Sequence, residues 1–168
     1  MNNLVLGSSS KFGKILEHKL PGIYLNRHQF DLLHPNFVQF DNMSVDNLIV
    51  LNKGNATTFG QAGIVADSVS KLLDTVRYKT AWLFTSGLGT YGGSKNNSYI
   101  YYSTEKMLLN FVCYKKNFDG HNIKLLHPGH MDSIESYTAM VDKFILLLDN
   151  PPEKNLIWSL PGSSYIPF

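Results

Sequence analysis

Leu4-Val5-Leu6-Gly7-Ser8-Ser9-Ser10-Lys11-Phe12-Gly13 is the stretch that decides the fold. A short apolar run enters a turn of small residues, and Lys14-Ile15-Leu16-Glu17-His18-Lys19-Leu20 then reads as a helix. Buried strand, small-residue turn and helix, in that order, point backbone N–H groups and a helix N-terminus at a phosphate. Gly7 allows the tight turn and Gly13 allows close helix packing; Lys11 stands where a middle glycine is expected. Serine-rich turns also cap ordinary helices, so the stretch gains its meaning from the order of strands and helices after it.

Pro21-Gly22 stops the helix, and Gly22 to Arg27 reads as a second strand. In a dinucleotide fold, an acid at the end of that strand accepts from a ribose 2′-OH, whereas an Arg favours a 2′-phosphate. Here the strand ends in Asn26-Arg27, with no acid, and Lys11 adds a second positive charge. From His28 to Asn36 there is no room for a full crossover helix. Phe37-Val38-Gln39-Phe40-Asp41 alternates like a third strand, and Asp46 to Asn52 is a continuous buried strand closed by Lys53-Gly54-Asn55. Ile64, Val65, Val69, Leu72, Leu73 and Val76 have helical spacing within 57–77. Thr80 to Gly87 is the next strand, running into a glycine-rich loop through Gly93. Ile123 to Leu126 is another strand, closed by His127-Pro128-Gly129; a helix over 135–148 and a last strand over 155–160 complete the chain. Strands alternate with helices, which predicts a doubly wound α/β fold with a mostly parallel sheet covered on both faces. Ligands in such sheets bind beyond the carboxyl ends of the strands, where Gly7, Ser86 and Pro128 fall.

The chain has 168 residues, which fits one domain over 1–168. Hydrophobic residues at 43% and charged residues at 17% are a globular composition. A net charge of +2, with Lys115-Lys116 as the longest basic run, argues against nucleic acid. The lone Cys113 rules out an internal disulfide and fits a reducing, cytoplasmic compartment. No signal peptide and no membrane-spanning run is read from the sequence. His127 and His130 flank Pro128-Gly129, but no ligand set completes a metal site around them.

Between the glycine-rich loop and the strand at Ile123 lies Tyr102-Ser103-Thr104-Glu105-Lys106, followed by apolar Met107, Leu108, Leu109, Phe111 and Val112. No Gly or Pro occurs from Tyr99 to Asp119, so the segment reads as a helix with Tyr102 and Lys106 one turn apart on one face. An isolated phenol, with a pKa of about 10, is a poor acid or base at neutral pH. A nearby ammonium favours the phenolate, and a tyrosine tuned in this way can exchange a proton with a substrate oxygen.

Taken together, these motifs resemble the short-chain dehydrogenase/reductase family, and the resemblance is to an ordered set. Leu6 to Gly13 resembles the family's cofactor loop, which implies that Gly7, Ser9, Ser10, Lys11, Phe12 and Gly13 hold the cofactor. Asp41 falls where an acid commonly neighbours the adenine. Asn52-Lys53-Gly54 resembles a degraded Asn-Asn-Ala-Gly segment. Ser86, Tyr102 and Lys106 match the catalytic residues, and Pro128-Gly129-His130-Met131-Asp132-Ser133 resembles the Pro-Gly motif whose final hydroxyl residue holds the nicotinamide carboxamide. The resemblance implies a Rossmann-like single trimmed domain that transfers hydride between NADP(H), preferred over NAD(H) through Arg27, and a small carbonyl or alcohol substrate. Tyr102 would be the acid/base, Lys106 would hold the nicotinamide ribose, and Ser86 would bind the substrate oxygen. Asn52, Gly54, Pro128, Gly129, Met131 and Ser133 would complete the cofactor site. A homodimer or homotetramer is implied. Three departures stand out: Lys11 in the loop, no clear counterpart of the family's catalytic asparagine (Gln61 is nearest), and a chain much shorter than the family's usual size. They leave one alternative of another class, a nucleotide sensor or scaffold that keeps the fold without the chemistry.

Overall fold

The computed structural model describes residues 1–52, 54, 56–85, 100–128 and 133–152, and the backbone of 157–160 and 165–166. Strands β1 (Asn3–Leu6), β2 (Ile23–Leu25), β3 (Ser44–Leu51), β4 (Arg77–Phe84), β5 (Ile123–Pro128), β6 (Ile157–Leu160) and β7 (Tyr165–Ile166) form one sheet in the order β2-β1-β3-β4-β5-β6-β7. All pairings are parallel except β6 with β7. Helices α1 (Lys11–Lys19), α2 (Phe59–Thr75), α3 (Ile100–Phe118) and α4 (Ile134–Asp149) cover it.

Alternation along the strands sends side chains to two cores. Leu4, Leu6, Leu48 and Val50 pack on one face with Val69 and Leu72 of α2 and Leu109 and Cys113 of α3. Val5, Ile49, Trp82 and Phe84 pack on the other with Phe12 and Leu16 of α1 and Val141 and Phe144 of α4. Strands buried on both faces read as continuous apolar runs, which is why β3 and β4 stand out in the sequence. The starts of α1, α2 and α4 are fixed by side-chain caps. Ser10 Oγ accepts from the Gly13 N–H at 3.0 Å, Thr58 Oγ1 from the Gln61 N–H at 3.2 Å, and Ser133 and Ser136 form a reciprocal capping box.

The expected third strand over 37–41 is instead a turn of 3₁₀ helix, Val38–Phe40. The Phe40 N–H donates to the Phe37 carbonyl at 2.9 Å, and Asn36 Oδ1, just ahead of the turn, accepts from the Val38 N–H at 3.2 Å. The apolar period here is three, not two. Phe37 and Phe40 turn inward onto Phe30, with ring centroids 5.7 and 4.9 Å away, while Val38 is 73% exposed. β2 and β3 are joined without a crossover α-helix; the connecting segment is built of turns and the 3₁₀ turn instead. β7, two residues long and antiparallel, carries no strand signal in the sequence.

Candidate active site

The sheet order reverses at β1, which has β2 on one side and β3 on the other. The crevice beyond the carboxyl ends of β1 and β3 is therefore the topological switch point, where open α/β sheets bind ligands. A cavity of about 570 Å³ lies there, within the range of small-molecule sites. Of the residues predicted to hold a cofactor, Gly7, Ser9, Ser10, Lys11, Phe12, Arg27, Asn52 and Pro128 line it.

Two glycines make the loop possible. Gly7 has φ +86°, and a Cβ there would overlap the Leu51 carbonyl oxygen of the neighbouring strand. Gly13 lets α1 settle on the loop, since its Cβ would stand 2.7 Å from Ser8 Cα. The first turn of α1 carries no acidic residue, so its positive end faces the crevice unopposed. Lys11 begins the helix, exposed, with Nζ 5.7 Å from the centroid of the Tyr137 ring on α4. Small side chains, backbone N–H groups at a helix start and a loop without a carboxylate suit the pyrophosphate of a dinucleotide.

On the β2 side, Arg27 is half exposed, and its Nε lies 3.3 Å from Asp31 Oδ2. Phe30, Asp31 and Leu32 form this wall and escaped the sequence reading, as did Phe84 and Tyr137. The signal for Asp31 was its position four residues after Arg27. Asp41 is not in the crevice. It is exposed beside the amino end of β3, where the Met43 carbonyl accepts from the Arg77 N–H at the start of β4, at the opposite end of the strands from the crevice. The strand expected to carry it to the crevice is replaced by the 3₁₀ turn, which leaves Asp41 away from the adenine position that the resemblance implied.

Tyr102 and Lys106 lie together on α3. Lys106 Nζ is 5.2 Å from the centroid of the Tyr102 ring and donates to the Asn52 main-chain carbonyl at the end of β3. The ammonium is fully buried. Burial pushes the Lys106 pKa down to about 8, against the opposing charge of Glu105. Gly54, with φ +86°, lies flat against Tyr102, and a Cβ there would come within 2.6 Å of Tyr102 Cε2. Glu105, to which the sequence reading gave no role, is also fully buried and accepts from Asn52 Nδ2 at 2.7 Å and the Ala56 N–H at 3.0 Å.

Register carries the row onward. The residues after Leu51, Phe84 and Leu126 are Asn52, Thr85 and His127, neighbours across the carboxyl ends of β3, β4 and β5. His127 is buried, and burial, together with the Lys106 charge, lowers its pKa to about 4. The imidazole is therefore neutral at physiological pH. Its Nε2 and the Thr85 Oγ1 have no hydrogen-bond partner among the described residues. Gln61 serves elsewhere, its Oε1 accepting from both the backbone N–H and the hydroxyl of Thr57 at 2.8 Å. Ser133 is engaged as the cap of α4. Ser86, Gly129 and Met131 lie outside the described residues. Among the described residues, no group of His, Cys, Asp and Glu could hold a metal ion. Among them, no helix is long and apolar enough to cross a membrane.

No protein-family model and no curated protein matches this chain. Solved structures do. A carbonyl reductase from Pseudomonas aeruginosa PAO1 in complex with NADP is similar over 100% of both chains, with a TM-score of 0.70 at 14% identity. The 3-alpha-hydroxysteroid dehydrogenase from Pseudomonas sp. B-0831, complexed with NADH, is similar over 95% of this chain and 94% of its own, with a TM-score of 0.61 at 13% identity. A GDP-mannoheptose C4 reductase from Campylobacter jejuni with NADP bound has a TM-score of 0.56 at 15% identity, over 76% of this chain; the match spans only 50% of that reductase. The fold is thus the Rossmann-like α/β fold shared with these nucleotide-binding reductases.

Proposed function

We propose that this chain is a short-chain dehydrogenase/reductase-type oxidoreductase that binds NADP(H) in the β1–β3 crevice and interconverts a small carbonyl compound and its alcohol. The observation that carries the reading is a buried lysine one helical turn from Tyr102, beside a crevice with a glycine-turn floor. Nicotinamide, when bound, supplies or accepts the hydride. The chain's own work is to position and to move protons. The α1 N-terminus and the Ser9–Ser10 turn hold the pyrophosphate, and Arg27 takes a 2′-phosphate in exchange for part of its contact with Asp31. Tyr102 exchanges the proton at the substrate oxygen, and Lys106, whose buried ammonium is bonded to the Asn52 carbonyl, supports the phenolate; a hold of Lys106 on the nicotinamide ribose rests on the family resemblance. Ser86 orients the substrate oxygen, and Pro128, Gly129, Met131 and Ser133 border the nicotinamide end; these roles rest on the family resemblance.

Fluorescence titration with NADPH and NADH tests the binding half. NADPH should bind more tightly. Arg27→Ala should weaken NADPH about tenfold or more, since a hydrogen bond to a charged group is worth about 1.5–3 kcal/mol, and should leave NADH nearly unchanged. Failure of the folded protein to bind either nucleotide would remove the proposal. Binding without turnover of any carbonyl would favour the sensor reading, which the displaced Gln61 supports.

We further propose a homodimer through α3. Met107, Phe111, Tyr114 and Phe118 recur on one stripe of that helix and are 38%, 66%, 40% and 92% exposed. An exposed apolar stripe of this length marks an interaction surface. Light scattering should give twice the chain mass for the wild type and the monomer mass for Phe111→Asp. A monomeric wild type at tens of micromolar would discard the interface.

A further inference from the structure

We propose that Glu105 is the positioning residue of this site, fastening from inside the protein the loop on which both Tyr102 and Lys106 depend. The inference deepens the function proposed above and rests on it. A carboxylate with no exposed surface is costly unless its oxygens are bonded and its charge is matched. Both conditions are met here. One oxygen takes the Asn52 side-chain amide at 2.7 Å and lies 3.8 Å from Lys106 Nζ. The other takes the Ala56 N–H at 3.0 Å.

Asn52 is consequently gripped at both ends. Its amide is held by Glu105 and its main-chain carbonyl by the Lys106 ammonium, while its Oδ1 accepts from the Gly54 N–H at 3.0 Å. Gly54 is the surface on which the Tyr102 ring rests, with no room for a Cβ. One carboxylate therefore places the phenol through Asn52 and Gly54, and places the ammonium directly. Adjacent helical residues ordinarily diverge around the axis. Glu105 and Lys106 meet because the turn after β3 reaches over α3 and engages both.

The charges around Lys106 define what Glu105 does. Tyr102 faces it from its own helix, and His127 faces it from β5 as a neutral imidazole. Among the described residues, Glu105 is the negative group that opposes the cost of burying this ammonium. Replacing it should favour the neutral amine and shift the deprotonation of Lys106 toward lower pH.

The test compares wild type with Glu105→Gln, which preserves shape and removes charge. Lysine side-chain NMR, with Lys106→Met to assign the signal, follows the Lys106 titration directly. The midpoint should fall by about one unit or more, the range for losing an opposite charge at close quarters. The alkaline limb of the kcat profile should move with it, and kcat should drop about tenfold or more with nucleotide affinity changed less. Glu105→Asp should restore most of the midpoint. A midpoint that stays put in folded Glu105→Gln overturns the proposal, because a purely structural role would lower stability without moving it. If Glu105→Gln does not fold, the double variant Glu105→Gln/Lys106→Met decides: recovered folding supports the pairing, and a double as unstable as the single overturns it. A wild type inert toward carbonyls, with the NMR shift present, would sink the reductase reading while leaving the Glu105–Lys106 coupling intact.

Discussion

Tyr102→Phe should reduce kcat for carbonyl reduction by about 10²–10⁴-fold, the range for removing a general acid from the transition state, with NADPH affinity within a few-fold of wild type. The substitution deletes one oxygen and leaves the ring in place. The ring, not the hydroxyl, contacts Gly54 and lies under the Lys106 ammonium. Fold and crevice should therefore survive, and the loss should fall on kcat rather than on nucleotide binding. Steady-state rates with saturating NADPH, beside a fluorescence titration of the same preparation, separate the two. Undiminished turnover in Tyr102→Phe would transfer the proton step to another group and end the role assigned to this tyrosine.

Gly7→Ala should cost about 3 kcal/mol or more of stability and abolish nucleotide binding. Two penalties add. A non-glycine residue in the left-handed region costs about 1–2 kcal/mol, and Gly7 sits at φ +86°. The new methyl would also overlap the Leu51 carbonyl oxygen, main-chain matter that cannot swing aside without unpairing β1 from β3. Since β1 is the strand at the switch point, the damage reaches the crevice. Gly63→Ala is the matched control. Gly63 lies inside α2 with nothing within 4 Å of an added Cβ, and removing a mid-helix glycine should stabilise by about 0.5–1 kcal/mol. Urea unfolding of the two variants should thus move in opposite directions. A Gly7→Ala protein as stable as wild type would contradict the loop geometry.

Fold and site differ in how far they were legible from the sequence. The sheet was readable because strands buried on both faces leave uninterrupted apolar runs, as in Leu48–Leu51 and Ala81–Phe84, and because Gly7 and Gly13 stand where the backbone leaves no space for a side chain. Residues 37–41 misled because five residues with two phenylalanines three apart satisfy a period of two and a period of three equally well. Asn36, whose Oδ1 accepts from the Val38 N–H two residues on, was the turn signal beside them. The misplaced strand carried Asp41 with it, while Asp31, close behind Arg27, took the place at the crevice wall. Spacing along one helix was enough to pair Tyr102 with Lys106. It could not reveal Glu105, whose partners Asn52 and Ala56 lie about fifty positions away and meet it only through the fold.

Phe30 has two addresses. Its ring belongs to the crevice wall and also wedges against Phe37 and Phe40, the latter wholly buried in the core. In the place of a crossover helix between β2 and β3, an aromatic peg is driven into the body of the protein. The wall that would meet the adenosine end of a nucleotide is thereby braced before any ligand arrives. A braced wall spares the ligand the ordering of a loose segment, which is the usual route by which preorganisation strengthens binding. On the function proposed above, it also ties nucleotide selectivity to folding. Repainting this wall for another nucleotide by moving Arg27 or Asp31 is a surface edit, whereas reshaping it through Phe30 would loosen the keystone of the β2 margin.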